Sequence, residues 1–405
     1  MTRVQDVSLE ELIDIKHGFA FKSNFFQSEP SDYILLTPGN FNVNKTLYFG
    51  RNTKYYLGDI PSGYVLDNGD LLVVMTDLTK EMNILGNAVI LHSKKKVLHN
   101  QRIGKITIKD HQVISKEYLM YILNSDTVRK NIKATASGTT VRHTSPKKIL
   151  ELVIPLPPLL EQCRIAEVLG VWDESIDLLE KLIGKTRSRK QGLMQQLLTG
   201  KKRFKEFEGS EWRRYHFKDI FKRITRKNTV NNSNILTISG THGLINQRDF
   251  FNKRVAADNL DGYYLIEKGE FAYNKSYSNG YPLGAIKRLD RYDAGVLSTL
   301  YICFGLSNSL NSGDFMAHYF ESGIFNKEIY GIAQEGARNH GLLNIGVNDF
   351  FELFLSIPSL PEQEKIAAVL SAADEEISTL EKQLAAYKQQ KLGLMQQLLT
   401  GRIRI

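Results

Sequence analysis

PPLLEQCRIAEVLGVWDESIDLLEKLIGKTRSRKQGLMQQLLTG, residues 157–200, and PSLPEQEKIAAVLSAADEEISTLEKQLAAYKQQKLGLMQQLLTG, residues 358–401, decide the fold. They align without a gap at an offset of 201 residues, and 24 of the 44 paired positions are identical. A period that long is no solenoid repeat, so the chain is two tandem copies of one multi-element unit. Prolines are confined to the entry of each stretch (Pro157, Pro158, Pro358, Pro361), and Gly200 and Gly401 close them. Good helix formers fill the interior, which predicts two long helices.

The apolar spacing sharpens that reading. In the first copy it runs Ile165, Leu169, Trp172, Ile176, Leu179, Ile183, then Leu193 and Leu197, with Thr186 and Lys190 in register between. In the second it runs Ile366, Leu370, Ala373, Ile377, Leu380, Leu384, Tyr387, then Leu394 and Leu398. Steps of four and three alternate throughout, the 3.5-residue period of a coiled-coil seam. At 1.5 Å per residue, roughly 36 residues make a helix of about 54 Å. Pairing inside the chain is favoured over pairing with a second chain, because the intervening segment, about 150 residues long, can fold back as a domain and keep the local concentration high. Lys190 and Lys391 fall in the seam at matched positions. They either snorkel to water or set the register.

Residues 1–156 and 206–357 are then two arms, each followed by a helix segment, 157–205 and 358–405. The arms match weakly, but landmarks keep their order: Gly69-Asp70-Leu71 with Gly269-Glu270-Phe271, Leu85-Gly86 with Leu283-Gly284, Val97-Leu98 with Val296-Leu297. Each arm reads as a mixed α/β domain. A short entry helix (8–15, 218–224) precedes β-rich runs such as 33–36, 71–76 and 301–304. Amphipathic stretches at 117–132 and 315–332 follow, and strands at 150–154 and 351–355 lead into the long helices. The fold class is α+β.

The composition is globular, with 42% hydrophobic residues. Lys and Arg number 53 against 44 Asp and Glu, a formal charge of +9, which favours a polyanionic partner such as nucleic acid. The two cysteines, Cys163 and Cys303, have no zinc-ligand spacing and suggest no disulfide framework, so a cytoplasmic setting is expected. No apolar run has the ~20 residues that cross a bilayer, so no membrane partner is expected.

Catalytic signatures are missing as well. There is no phosphate-binding Gly-x-x-x-x-Gly-Lys-Ser/Thr loop and no Asn/Asp-Pro-Pro-Tyr/Phe motif of an amino-methyltransferase. Asp14-Ile15-Lys16 has nuclease-like spacing but no upstream acidic partner, and reads as coincidence. The expectation is a non-catalytic recognition and assembly protein with no metal site and no cofactor of its own.

Candidate DNA-contacting residues sit in clusters on the arms: Lys22, Lys95, Arg102, Arg142 and His143 in the first, and Arg226, Lys227, Asn274, Lys275, Tyr277, Arg338 and Asn339 in the second. Arg and Lys suit guanine O6 and N7, Asn suits adenine N6 and N7, and spare cations suit phosphates. Any one of these taken singly reads more simply as a solvated surface charge. The signal lies in the clusters together with the net charge.

Pro155-Leu156-Pro157-Pro158-Leu159-Leu160-Glu161-Gln162, followed by Ile165-Ala166 and Val168-Leu169, resembles the entry into the conserved helices of type I restriction–modification specificity (S) subunits. The second copy carries Ile357-Pro358-Ser359-Leu360-Pro361-Glu362-Gln363, less proline-rich, and LMQQLLTG ends both copies. The resemblance covers the whole chain in the order arm, helix, arm, helix.

It implies two target recognition domains, each reading half of a split double-stranded DNA site, joined by two long helices that form an antiparallel coiled coil in a pseudo-two-fold tandem repeat. It also implies two copies of a methyltransferase (M) subunit and motor–nuclease (R) subunits as partners. S-adenosylmethionine, ATP and magnesium would then be held by those partners. For partner docking, Gln195 and Gln396 beside the repeated endings are candidates, although plain helix packing explains them equally well. A scaffold whose arms bind proteins is the alternative function.

Overall fold

Both repeated stretches fold as single 39-residue helices, Leu159–Leu197 and Leu360–Leu398. Each ends three residues before a glycine in the left-handed region, Gly200 and Gly401 at φ 69°, a conformation that glycine adopts without a Cβ penalty. The computed structural model describes residues 4–240, 242–251, 260–278, 280–335 and 343–405. It divides into two units, Met1–Glu180 with Gln383–Ile405, and Lys181–Lys382, so each unit contains one arm and a part of both long helices.

In the first unit the two helix segments run antiparallel. Trp172 meets Tyr387 edge to face at 5.3 Å, Lys388 reaches Glu180 at 2.6 Å, Lys391 pairs with Asp173, and Arg404 pairs with Glu161. The arm's central antiparallel sheet has the order Ile13–His17, Ile103–Ile108, Leu71–Val74, Ala88–Ile90. A five-stranded sheet beside it includes one parallel pair, Tyr33–Leu36 with Lys96–His99. Strand Gln5–Ser8 pairs antiparallel with Val153–Leu156, which leads directly into the first long helix. Leu9, Leu71, Ile106, Tyr118 and Leu119 make one core with Ile165 and Leu169 of the first long helix and Met395, Leu398 and Leu399 at the end of the second.

The second unit repeats the plan. Its central sheet has the order Phe221–Arg223, Ile302–Leu306, Phe271–Asn274, Ala285–Arg288, and Arg213–His216 pairs with Phe354–Ile357. Its helix segments are also antiparallel: Arg187 pairs with Glu381, Arg189 with Glu376, Lys190 with Asp374 and Arg203 with Glu362. Three of these ion pairs are the first unit's pairs displaced by 201 residues.

Three local expectations differ from the structure. The entry helices are single turns, Leu9–Leu12 and Phe217–Ile220, and the chain then becomes strand. Ile13 and Ile15 alternate with Asp14 and Lys16 at period two, which fits a half-buried strand, and they pair along Ile103–Ile108. The stretches 117–132 and 315–332 are each two helices, Lys116–Leu123 with Asp126–Ala134 and Gly313–Glu321 with Asn326–Ile332. In the first arm Ser125 restarts the chain by accepting the Val128 N–H as an N-cap. The last strand of each arm begins three residues later than expected, because Pro146–Leu150 and Val347–Phe351 form short helices first.

Every seam residue named from the sequence, from Ile165 to Leu197 and from Ile366 to Leu398, is buried or half-buried. Lys190 and Lys391 reach aspartates of the opposite helix, with side chains 15% and 16% exposed.

Candidate nucleic-acid interface

In the first arm, the central strand Leu71–Val74 continues as Thr76–Asp77, which pairs antiparallel with Arg142–His143. The Asp77 carboxylate is buried and accepts four hydrogen bonds: from the Thr79 N–H and O–H at 2.8 Å each, the Ile84 N–H at 2.7 Å and the Leu85 N–H at 3.2 Å. Burial alone would raise its pKa, but these donors outweigh it and hold the group below the ordinary carboxylate value. Thr76 Oγ1 and His143 Nδ1 lie 3.0 Å apart.

The neighbouring backbone draws a third candidate in. The Met75 N–H donates to the Arg102 carbonyl, and the Thr144 N–H donates to the Met75 carbonyl, both at 3.0 Å. Arg102, Arg142 and His143, separated by up to 41 residues of chain, therefore meet at one strand end. Arg142 Nη1 donates to the Gly138 carbonyl at 2.6 Å, and its Nε has no partner among the described residues.

Lys22 and Lys95 stand apart from that group. Lys22 is exposed at the start of the turn Ser23–Phe25, and exposed Lys95 lies 5.4 Å over the Tyr55 ring beside the five-stranded sheet.

The second arm splits its candidates in the same way. Asn274, Lys275 and Tyr277 follow one another off the end of the central strand, where the Leu343 N–H donates to the Lys275 carbonyl at 3.0 Å. That bond repeats the Thr144–Met75 bond of the first arm. Arg226 is bound by Glu270 at 2.9 Å and Glu267 at 3.5 Å, so it offers less free positive charge than its sequence cluster suggests. Lys227 donates to the Gly262 carbonyl at 2.7 Å and lies 4.5 Å over the Tyr264 ring. Arg338 and Asn339 lie outside the described residues.

Gln195 and Gln396 are exposed on the long helices. Gln396 Nε2 donates to Asp126 at 3.2 Å and rims a cleft with Leu392, Met395 and Lys45. Burial lowers the Lys45 ammonium to about 8, and it donates to the Asn124 carbonyl at 2.9 Å. Among the described residues no group of three or more His, Cys, Asp or Glu is placed to hold a metal ion, and no helix is long and apolar enough to cross a membrane.

Sequence reasoning missed two features. One is the Asp77 turn, whose only signal was a carboxylate at the end of an apolar run. The other is the acidic half of the helix ion pairs. Asp173 with Asp374, and Glu161 with Glu362, also recur at the 201-residue offset, so the repeat itself held that signal.

Two mixed α/β domains combined with a duplicated, antiparallel pair of long helices define the class: a tandem α+β fold built twice on one helical framework. Residues 1–185 match the family described as the type I restriction modification DNA specificity domain. The specificity subunit of the type I restriction enzyme EcoBI of Escherichia coli is 32% identical over 171 residues, which are 42% of this chain and 32% of that protein. The MjaVIII specificity subunit of Methanocaldococcus jannaschii is 26% identical over 381 residues, covering 87% of this chain and 85% of its own.

Among solved structures, the S subunit of a type I system from M. genitalium superposes with a TM-score of 0.59 at 18% identity, covering 98% of this chain and 96% of that one. A chain from a structure describing complex assembly and conformational transition of the type I R-M system gives a TM-score of 0.55 at 14% identity, covering 99% and 98%. In family, in curated relatives and in fold, then, this chain resembles type I restriction–modification specificity subunits, as its helix entries and LMQQLLTG endings imply.

Proposed function

We propose that this chain is the non-catalytic DNA-reading subunit of a cytoplasmic type I restriction–modification complex. Each arm reads one half of a bipartite, asymmetric duplex site. The paired long helices set the gap between the halves and dock two copies of the methyltransferase subunit, and motor–nuclease subunits complete the assembly. S-adenosylmethionine, ATP and magnesium belong to those partners.

The observation that carries this reading is what the duplication keeps and what it varies. Lys391–Asp173 and Lys190–Asp374, Arg404–Glu161 and Arg203–Glu362, Lys388–Glu180 and Arg187–Glu381 are the same contacts made twice. Two equivalent helix surfaces suit two identical partner subunits. The strand ends differ, Thr76-Asp77 with Arg142-His143 in one arm and Asn274-Lys275 with Tyr277 in the other, as two different half-sites require.

The test is co-expression with a cognate type I methyltransferase subunit, followed by mapping of methylated adenines in the host DNA. A motif of two unlike halves separated by a fixed gap is expected. Methylation without sequence preference, or at a single continuous site, contradicts the proposal.

A further inference from the structure

We infer that Leu78, the first exposed residue of the Asp77 turn, is a specificity-determining residue of the first arm that reads the C5 methyl group of a thymine in the major groove. The inference rests on the proposed DNA-reading function and assigns one of its contacts.

Residues 71–77 are buried without interruption, and the chain then passes abruptly into four exposed residues, 78–81, with Leu78 63% exposed. A scattered surface leucine needs no explanation. This one is different because the turn beneath it is clamped from both sides. Asp77 gathers Thr79, Ile84 and Leu85 from inside. From outside, Arg129 Nη2 donates to the carbonyls of Asn83 at 2.9 Å and Leu85 at 3.3 Å, and Lys133 Nζ donates to the Glu81 carbonyl at 3.2 Å. A preorganised tip loses little conformational freedom when it meets a ligand.

Its surroundings select the ligand. Asp77 lies opposite Arg142 in the strand ladder, next to His143, and the Arg102 carbonyl is bonded two residues back at Met75. An exposed apolar residue on a turn that Arg129 and Lys133 bind, with Arg142 on the paired strand, matches the major groove, where phosphates flank a floor on which thymine presents a methyl group. An apolar pocket of a protein partner would not call for those cations. In the second arm, the matching strand end places Tyr277, also 63% exposed, beside Asn274 and Lys275. By the Met75–Lys275 correspondence Tyr277 stands one residue before Leu78, so the two strand ends expose different side chains at different steps, the pattern of two heads reading different bases.

The experiment selects duplexes from a randomised pool with the full chain and then measures affinity for the enriched sequence with each thymine replaced by deoxyuridine, which lacks only the methyl. At one position in one half-site the wild-type chain should lose about fourfold, the value of one buried methyl-sized group. Leu78→Ala should bind the thymine and deoxyuridine duplexes equally there, while Leu78→Met should keep the preference. An unchanged thymine-to-deoxyuridine ratio in Leu78→Ala overturns the inference and leaves DNA reading intact. So does a variant that keeps the ratio but no longer captures the methyltransferase subunit. A pool from which the wild-type chain enriches nothing contradicts the proposed function itself.

Discussion

The two units are packed with different side chains around the same framework. The first core is largely aliphatic, with Leu9, Ile13, Leu71, Val73 and Ile106 fully or nearly buried. The second is built on phenylalanine: Phe217 alone contacts the rings of Phe221, Phe304, Phe320, Phe325, Phe350 and Phe351. Yet Leu9 and Phe217 do the same job. Each opens the single-turn entry helix, and each donates its N–H to the carbonyl just before the last strand, Leu152 at 2.8 Å or Leu353 at 2.7 Å. The framework is held by backbone pairing and helix contacts, and the filling is free to drift provided it fills the space.

The joint between arm and long helix shows the same freedom with a functional consequence. In the first unit the Tyr121 hydroxyl donates to Asp173 at 2.8 Å, and Lys391 binds the other oxygen of that carboxylate. In the second, His318 stands in the tyrosine's place. Its Nδ1 lies 3.9 Å from Asp374, its Nε2 lies 3.0 Å from Ser371 Oγ, and Lys190 binds Asp374. Aspartate and lysine are repeated, but the aromatic ring is not. Burial, with the Asp173 carboxylate, pushes the Tyr121 phenol well above its ordinary range, so the hydroxyl stays protonated and keeps donating to Asp173. Burial, with the nearby Lys190 charge, pushes the His318 imidazole below its ordinary value.

Truncating the cores should give the largest effect and an unequal one. Phe217→Ala is expected to cost about 4 kcal/mol and Leu9→Ala about 3 kcal/mol, each measured by denaturant unfolding of the full chain. Equal losses under 1 kcal/mol would mean that these residues are not the centres of their cores.

A smaller effect should separate the joints by pH. Because His318 titrates lower in the folded state than in the unfolded one, the unfolded chain binds the extra proton first. The second unit should therefore keep its full stability above pH 6.5 and lose part of it as the pH falls below 6.5. His318→Tyr, which copies the first unit, should flatten that dependence in thermal unfolding monitored between pH 7.5 and 5. A slope that survives the substitution would assign the titration to another group.

Much of this architecture was legible because it is periodic. Ile165, Leu169 and Ile366, Leu370 announce a seam by spacing alone, and the 201-residue offset tells that the seam is built twice. The arms were legible only in outline. Ile13 and Ile15 share a short segment with Leu9 and Leu12, and four residues are too few for periodicity to separate one helical turn from the strand that follows. The candidate interface was the least legible part. Arg102 and His143 are brought together by backbone bonds to Met75 and the paired strand, and no spacing in the chain encodes that meeting. Arg226 illustrates the converse: its cluster looked like free positive charge, and Glu267 and Glu270, some 40 residues on, occupy it.

Two independent heads sharing one repeated framework should be separable by exchanging a single head. Residues 1–156 would be replaced by the corresponding arm of a type I specificity subunit, and methylated adenines would be mapped with the same methyltransferase subunit. The account predicts that one half of the recognised motif changes, while the other half and the gap between them stay as they were. A motif in which both halves change together, or neither does, would contradict it.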